Sequence, residues 1–134
     1  AALQDMKTAG WGRLIAVAST AGLKGYPYVS AYCAAKHGVV GLTRAVALEL
    51  ASTDITVNSI CPGFTETPLL ERSVENIIAK TGMSADAAYQ SLRVGNPQKR
   101  FIQTDEVAAM TVWLCSDGAR SVTGQALSLS GGEI

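Results

Sequence analysis

ITVNSICPG, residues 55–63, is a short β-branched and apolar run that stops at a proline and a glycine. A run of this length with turn residues at its end reads as a buried strand. Its neighbours decide the fold. Upstream, GRLIAVAS, residues 12–19, is a second short apolar run, read as a buried parallel strand ending near Ser19. A loop containing glycine and proline, TAGLKGYPYV, separates it from residues 30–52, which are rich in Ala, Val and Leu and free of Pro. That segment predicts a helix about 34 Å long at 1.5 Å per residue.

Downstream of Gly63 the character changes. Residues 68–103 are more polar, with helical pieces predicted over 68–80 and 84–94, and read as an inserted, lid-like excursion. From Thr104, TDEVAAMTVWLCSD opens with a cap residue and early acids, which predicts another helix. GQALSLSGG then reads as a last strand whose glycines serve a turn. The first ten residues, AALQDMKTAG, read as a helix tail closed by Gly10, and without an initiator Met the chain is expected to be a fragment.

Strands alternating with helices predict an α/β fold with a parallel sheet covered on both faces. Ligands in such sheets bind outside the carboxyl ends of the strands. Ser19 and the turn at Pro62 and Gly63 both fall on that edge. Along the long helix, Ala31, Ala34, Val39, Leu42, Ala45 and Leu48 are spread over more than one face, which predicts burial on more than one side, the second face covered by the missing half of the domain or by another subunit.

Composition excludes several function classes. Of 134 residues, 48% are hydrophobic and 16% charged, a globular balance rather than a disordered one. Eleven basic and eleven acidic side chains cancel and are scattered, so no nucleic-acid footprint follows. No segment reads as a membrane span or a secretory signal. Three cysteines, Cys33, Cys61 and Cys115, without metal spacing and with a single histidine in the chain, argue against a zinc site. They read as small buried hydrophobes in a reducing compartment, the cytoplasm. Trp11 and Trp113 lie in apolar contexts and are expected in the core.

Tyr32 and Lys36 stand four residues apart inside the predicted helix, SAYCAAKHGVVGLT. Side chains at i and i+4 share one helix face with Cβ atoms about 5–6 Å apart, so an ammonium can stand beside a phenol. Such a pair can do proton chemistry, or can be an ordinary helix edge. His37 points to a different side and reads as a surface or interface residue.

Ser19, Tyr32 and Lys36 together form S-x12-Y-x3-K, and N-x-I-x-P-G-x-x-x-T follows from Asn58 to Thr67. With these motifs the chain resembles the short-chain dehydrogenase/reductase family over nearly all its length. The resemblance implies the C-terminal portion of a Rossmann-type doubly wound parallel sheet. It also implies NAD or NADP as cofactor and oxidoreduction of a secondary alcohol or ketone. Tyr32 would be the general acid/base, helped by Lys36, because a free phenol ionises near pH 10 and an adjacent ammonium favours phenolate. Lys36 would also bond the nicotinamide ribose, and Ser19 the reacting oxygen. Backbone at Pro62, Gly63 and Thr65 would meet the carboxamide, with the Thr67 hydroxyl reaching carboxamide or pyrophosphate. Asn58 is implied to be a structural hydrogen-bonder. Cys61 as a nucleophile is disfavoured, since no basic partner is near in sequence.

AYCAAKHGVVGLT, ICPGFTETPLLE and PQKRF resemble the 3-hydroxybutyrate dehydrogenase and 3-oxoacyl reductase branch. The polar residues that hold a free carboxylate in 3-hydroxybutyrate dehydrogenases are replaced here by Ala21 and Val29, and Glu133 stands where an aromatic often follows the final glycine pair. A thioester or a bulkier, less charged substrate therefore fits better, and the expected reaction is oxidoreduction of a 3-hydroxyacyl or 3-oxoacyl compound, a CoA thioester being one form of it. No G-x-G-x-x-G turn occurs in these residues, so the chain lacks the Gly-rich cofactor loop. Two readings follow: part of an oligomeric reductase, dimer or tetramer, or a non-catalytic remnant that pairs through its apolar helix.

Overall fold

The computed structural model describes residues 2–134, so the part of the predicted helix tail at Ala1 lies outside the described residues. The chain runs α1 (Ala2–Ala9), β1 (Gly12–Val17), α2 (Ser30–Glu49), β2 (Ile55–Pro62), α3 (Pro68–Thr81), α4 (Ala85–Arg93), α5 (Thr104–Leu114) and β3 (Ala126–Leu129). Short 3-10 turns lie at Thr20–Gly22 and Asp117–Ala119. This is the predicted element order, with each boundary within about three residues of the expectation.

The three strands form one parallel sheet in the order β1-β2-β3. β2 is central, and all eight of its residues are buried. A strand flanked on both sides and covered on both faces has no polar face to show, which is why ITVNSICP reads as continuous rather than alternating. Its side chains divide by parity. Ile55 and Val57 pack with Ala47 of α2 and with Leu50 just beyond its end, joined by Leu3 and Met6 of α1, while Cys61 meets Val40. On the opposite face Ile60 packs with Leu114 of α5 and Ala119, supported by Ile15, Val107 and Met110. Helices thus lie on both faces, as in a doubly wound α/β sheet. Ile60 and Leu114 are fully buried, each contributing roughly 1.5–3 kcal/mol through removal from water.

Local signals set the ends of the elements. Gly10, at φ +69°, follows α1, and Gly82, at φ +70°, caps α3 with its N–H on the Ile78 carbonyl, the left-handed stop that a Cβ disfavours. α5 begins with a capping box in which Gln103 and Glu106 exchange hydrogen bonds with each other's backbone. Glu106 also takes both guanidinium nitrogens of Arg100, at 2.6 and 2.7 Å.

Three expectations fail on burial. Trp113 is 47% exposed, because it lies about one helical step from the inward-facing Leu114, and apolar neighbours in sequence do not fix direction. Trp11 is likewise half exposed, its ring under the Arg13 guanidinium at 4.9 Å. Cys115 is exposed at the end of α5, although Cys33 and Cys61 are buried as expected. Within the described residues α2 buries one face, and the second, expected to be covered by the rest of the domain or by another subunit, is open. One stripe, Cys33, Val40, Thr43 and Ala47, is buried, while Leu42 and Leu48 stay 65% and 80% exposed.

Candidate active site

Everything that follows a strand meets at the carboxyl edge of the sheet. Two residues beyond β1, Ser19 has extended backbone and caps the turn Thr20–Gly22, its Oγ accepting from the Ala21 N–H at 3.1 Å. The hydroxyl proton is not used in that bond and remains free to donate. Gly22 then lets the turn sit directly on α2. A Cβ there would lie 2.7 Å from the Lys36 carbonyl oxygen, a distance backbone cannot yield. The first turn of α2 carries Tyr32, 42% exposed, and the next carries Lys36.

Lys36 reaches from α2 to the end of β1. Its Nζ donates to the Val17 carbonyl at 3.1 Å and lies 5.6 Å from the centroid of the Tyr32 ring. One carbonyl uses one of the three ammonium protons, and two donors remain. The structure therefore brings Tyr32 and Lys36 together and fixes the ammonium two residues from Ser19. Below them, the Ala18 N–H continues the ladder onto the Ile60 carbonyl at 2.7 Å, joining the serine segment to the strand that ends in Pro62.

The turn after β2 is held differently. Gly63 donates to the Leu129 carbonyl, and Thr65 forms an isolated parallel bridge with Ile102. In that bridge Ile102 bonds the Phe64 carbonyl and the Glu66 N–H, so the N–H and carbonyl of Thr65 face away from it. The two threonine hydroxyls are turned onto nearby backbone, Thr65 Oγ1 donating to the Gly63 carbonyl and Thr67 Oγ1 to the Thr65 carbonyl. Thr67 also precedes α3 without capping it through its side chain. Pro62, Gly63, Thr65 and Thr67 thus lie on the same sheet edge as the serine, tyrosine and lysine.

The remaining candidates resolve into support. Asn58 is buried in mid-strand, its Nδ2 donating to the Val122 carbonyl at 2.7 Å and its Oδ1 accepting from the Gln125 N–H at 3.1 Å. It ties β2 to the segment entering β3. Cys61 is fully buried, and burial pushes its thiol up from the ordinary range, against the thiolate a nucleophile needs. His37 is exposed, with Nδ1 2.9 Å from the Cys33 carbonyl of its own helix. No group of three or more His, Cys, Asp or Glu side chains is placed to hold a metal among the described residues.

One set of residues was missed by sequence reasoning. Beyond β3, two glycines with positive φ, Gly131 and Gly132, turn the chain back so that Glu133 enters the site edge. Its carboxylate is 2.9 Å from Lys24 Nζ and accepts from the Tyr26 hydroxyl. The Tyr26 oxygen also lies 2.8 Å from Thr20 Oγ1, beside Ser19. Burial, and then the bond to Glu133, push the Tyr26 phenol well above its ordinary range. The sequence marked Glu133 only as standing where an aromatic often follows the glycine pair, with that pair read as a plain turn, and gave no sign of its partners Lys24 and Tyr26.

Residues 1–133 match the sequence profile of the family described as Enoyl-(Acyl carrier protein) reductase. The chain is 43% identical over 132 residues to D-beta-hydroxybutyrate dehydrogenase of Rhizobium meliloti, covering 98% of this chain and 51% of that protein. It is 47% identical over 121 residues to the granaticin polyketide synthase putative ketoacyl reductase 1 of Streptomyces violaceoruber, covering 90% and 44%. Among solved structures, a variant of actinorhodin polyketide ketoreductase with NADPH superposes with a TM-score of 0.90 at 42% identity, covering 96% of this chain and 49% of that one. Levodione reductase gives 0.89 at 36% identity, covering 98% and 50%. The chain spans about half the length of the curated relatives it matches. With a family profile matched over residues 1–133 and the parallel α/β architecture superposing on these solved structures, the chain belongs to the short-chain dehydrogenase/reductase family.

Proposed function

We propose that this chain forms part of an NAD- or NADP-dependent oxidoreductase that interconverts a secondary alcohol and a ketone. The observation that carries the reading is the placement of Lys36, bonded to the end of β1 and held over the Tyr32 ring, beside a serine whose hydroxyl proton is free. The relatives support the reaction class: two are named as D-beta-hydroxybutyrate dehydrogenases, and solved neighbours were captured with NADPH or NADP.

The residues present fit the nicotinamide end of a dinucleotide. Lys36 keeps two free ammonium donors, Thr65 keeps an N–H turned away from its bridge, and Gly63 offers backbone without a side chain. Lys36 and Tyr32 would hold the ribose, and Pro62, Gly63, Thr65 and Thr67 the carboxamide side. When bound, the cofactor supplies or accepts the hydride. Tyr32 gives its phenolic proton to the developing alkoxide, or takes it from the alcohol in reverse. Positive charge on Lys36 stabilises the negative charge that this leaves on the phenol oxygen. Ser19 donates to the same substrate oxygen and fixes its direction.

The substrate we assign is a 3-hydroxyacyl or 3-oxoacyl compound, carried as a thioester such as a CoA ester. Residues 68–103 form the lid over it, since helical excursions after a strand's carboxyl end are where such sites vary. The test is to follow NADH and NADPH absorbance in the full reading frame that encodes this chain, with 3-hydroxybutyrate and with its CoA ester. The ester is expected to be turned over with the higher kcat/KM, and a clear preference for the free acid would overturn this assignment. The 134 residues by themselves, without a Gly-rich turn for the pyrophosphate, are expected to show little turnover.

A second reading rests on a separate observation. Leu42 and Leu48 on α2, and Val112 and Trp113 on α5, leave large apolar side chains exposed. Such surfaces suit pairing with another copy as a dimer or tetramer, or a purely non-catalytic interaction module. Substantial NAD(P)H consumption by the full reading frame would exclude the latter.

A further inference from the structure

Glu133 is a carboxylate with a side chain only 7% exposed, placed where three segments of the candidate site meet. Lys24 and Tyr26 hold it from the loop behind Ser19. A Cβ on Gly63 would lie 3.5 Å from Glu133 Oε2, and one on Gly95, beyond α4, would lie 3.6 Å from Oε1. Gly131, two residues before it, is pressed so closely on Asn96 that a Cβ could not be accommodated. Asn96 in turn fixes the same bend by bonding the Gln98 N–H and the Arg100 carbonyl. The serine loop, the turn after β2 and the foot of the segment 68–103 thus converge on one side chain.

The charges at this junction are matched. Lys24 is the only cationic side chain between Ser19 and Tyr32, and its ammonium sits 4.9 Å over the Tyr26 ring while paired with Glu133. A half-exposed ammonium so paired offers little attraction to a second carboxylate, because the field of the pair is that of a dipole rather than a charge. We propose that Glu133 is a specificity-determining residue that masks Lys24 and holds the loop behind Ser19 against the Gly63 turn, so that the site prefers an uncharged acyl group to a free carboxylate. The inference rests on the reaction proposed above for its biological meaning, but the binding preference can be read without turnover.

The experiment uses the full reading frame and two unreactive probes of equal shape, butyrate and butyramide, titrated by calorimetry or NMR. Glu133→Gln keeps the shape and a hydrogen-bond acceptor for Tyr26 while exposing the Lys24 charge. The butyrate-to-butyramide affinity ratio is expected to rise about fivefold, the scale of a partly exposed ion pair. Lys24→Met, which leaves the carboxylate unmasked, should shift the ratio the other way, so the prediction survives if the first variant folds poorly. The double variant should return to near the wild-type ratio, an outcome that a merely structural role for Glu133 would not produce. A ratio unchanged in Glu133→Gln, or raised equally in the double variant, overturns the proposal. Absence of alcohol or ketone turnover in the unsubstituted protein, with the ratio change intact in the variants, would instead retire the reaction and leave the role of Glu133 standing.

Discussion

β2 and the segment 68–103 are consecutive in the chain and opposite in construction. Every residue of β2 is buried, and two of its polar members bond backbone, Asn58 that of Val122 and Gln125 and Ser59 the Gln125 carbonyl. In contrast, α3 buries only Leu70 and Val74 and α4 only Ala88. Beyond these, the segment is fastened at its far end, where Asn96 and Ile102 are buried, Tyr89 and Phe101 meet edge to face, Arg93 lies over Phe101, and Arg100 grips Glu106. A platform with many buried contacts opens only with the whole fold, whereas a cover with few can open by itself. The proposed chemistry sits on the platform and the proposed lid is the cover, a division that would let a substrate enter without disturbing Tyr32 and Lys36.

The largest expected effect is on the platform side. Tyr32→Phe removes the proposed proton donor and leaves the ring, and kcat should fall about 10²–10⁴-fold in the full reading frame. Dinucleotide binding, followed by quenching of protein fluorescence, should persist, and near-normal turnover would show that Tyr32 does not carry the proton.

A paired truncation sharpens the structural contrast. Leu114→Ala empties a fully buried position against Ile60 and should cost about 2–5 kcal/mol in urea unfolding. Leu70→Ala, at a site 4% exposed, should instead speed hydrogen exchange in α3 and α4 while leaving the amides of β2 as slow as before. An equal loss of global stability from both variants would abolish the distinction between platform and cover.

The smallest effect concerns the fastening. Hydrogen bonds from Arg100, and then from the Gln103 N–H, hold the Glu106 carboxyl down at about 2. Its folded value lies below the unfolded one, so its contribution is present above about pH 4.5 and fades as pH falls through about 2. The melting temperature of Glu106→Gln should therefore lie slightly below wild type at pH 6 and converge with it near pH 2. A gap of constant size across that range would mean that the ionised carboxylate is not what matters, and because the pair is exposed the gap should shrink in high salt.

Much of the sheet was legible because its signals are local. Pro62 and Gly63 end β2 by their own backbone chemistry, Gly10 and Gly82 end helices by theirs, and the spacing of Tyr32 and Lys36 follows from helical geometry alone. For Asn58 the family resemblance implied a structural hydrogen-bonder, and its bonds to Val122 and Gln125 agree, as a polar residue inside a buried strand has to find partners. The exposure of Trp11, Trp113 and Cys115 was not readable, because direction on an element depends on what packs against it.

By itself, the sequence determined the elements, their order, the parallel sheet and the residues set along its carboxyl edge. Propensity, turn residues and periodicity act over a few positions, and those are written directly in the chain. Only the tertiary structure decided what those residues touch. It turned the Thr65 and Thr67 hydroxyls onto backbone, anchored Lys36 on Val17, and carried Glu133 across the sheet edge to Lys24 and Tyr26. Tyr26 and Glu133 are 107 positions apart in the chain. Local sequence pattern does not encode such pairings, because they arise only once the strands have aligned and brought their ends together.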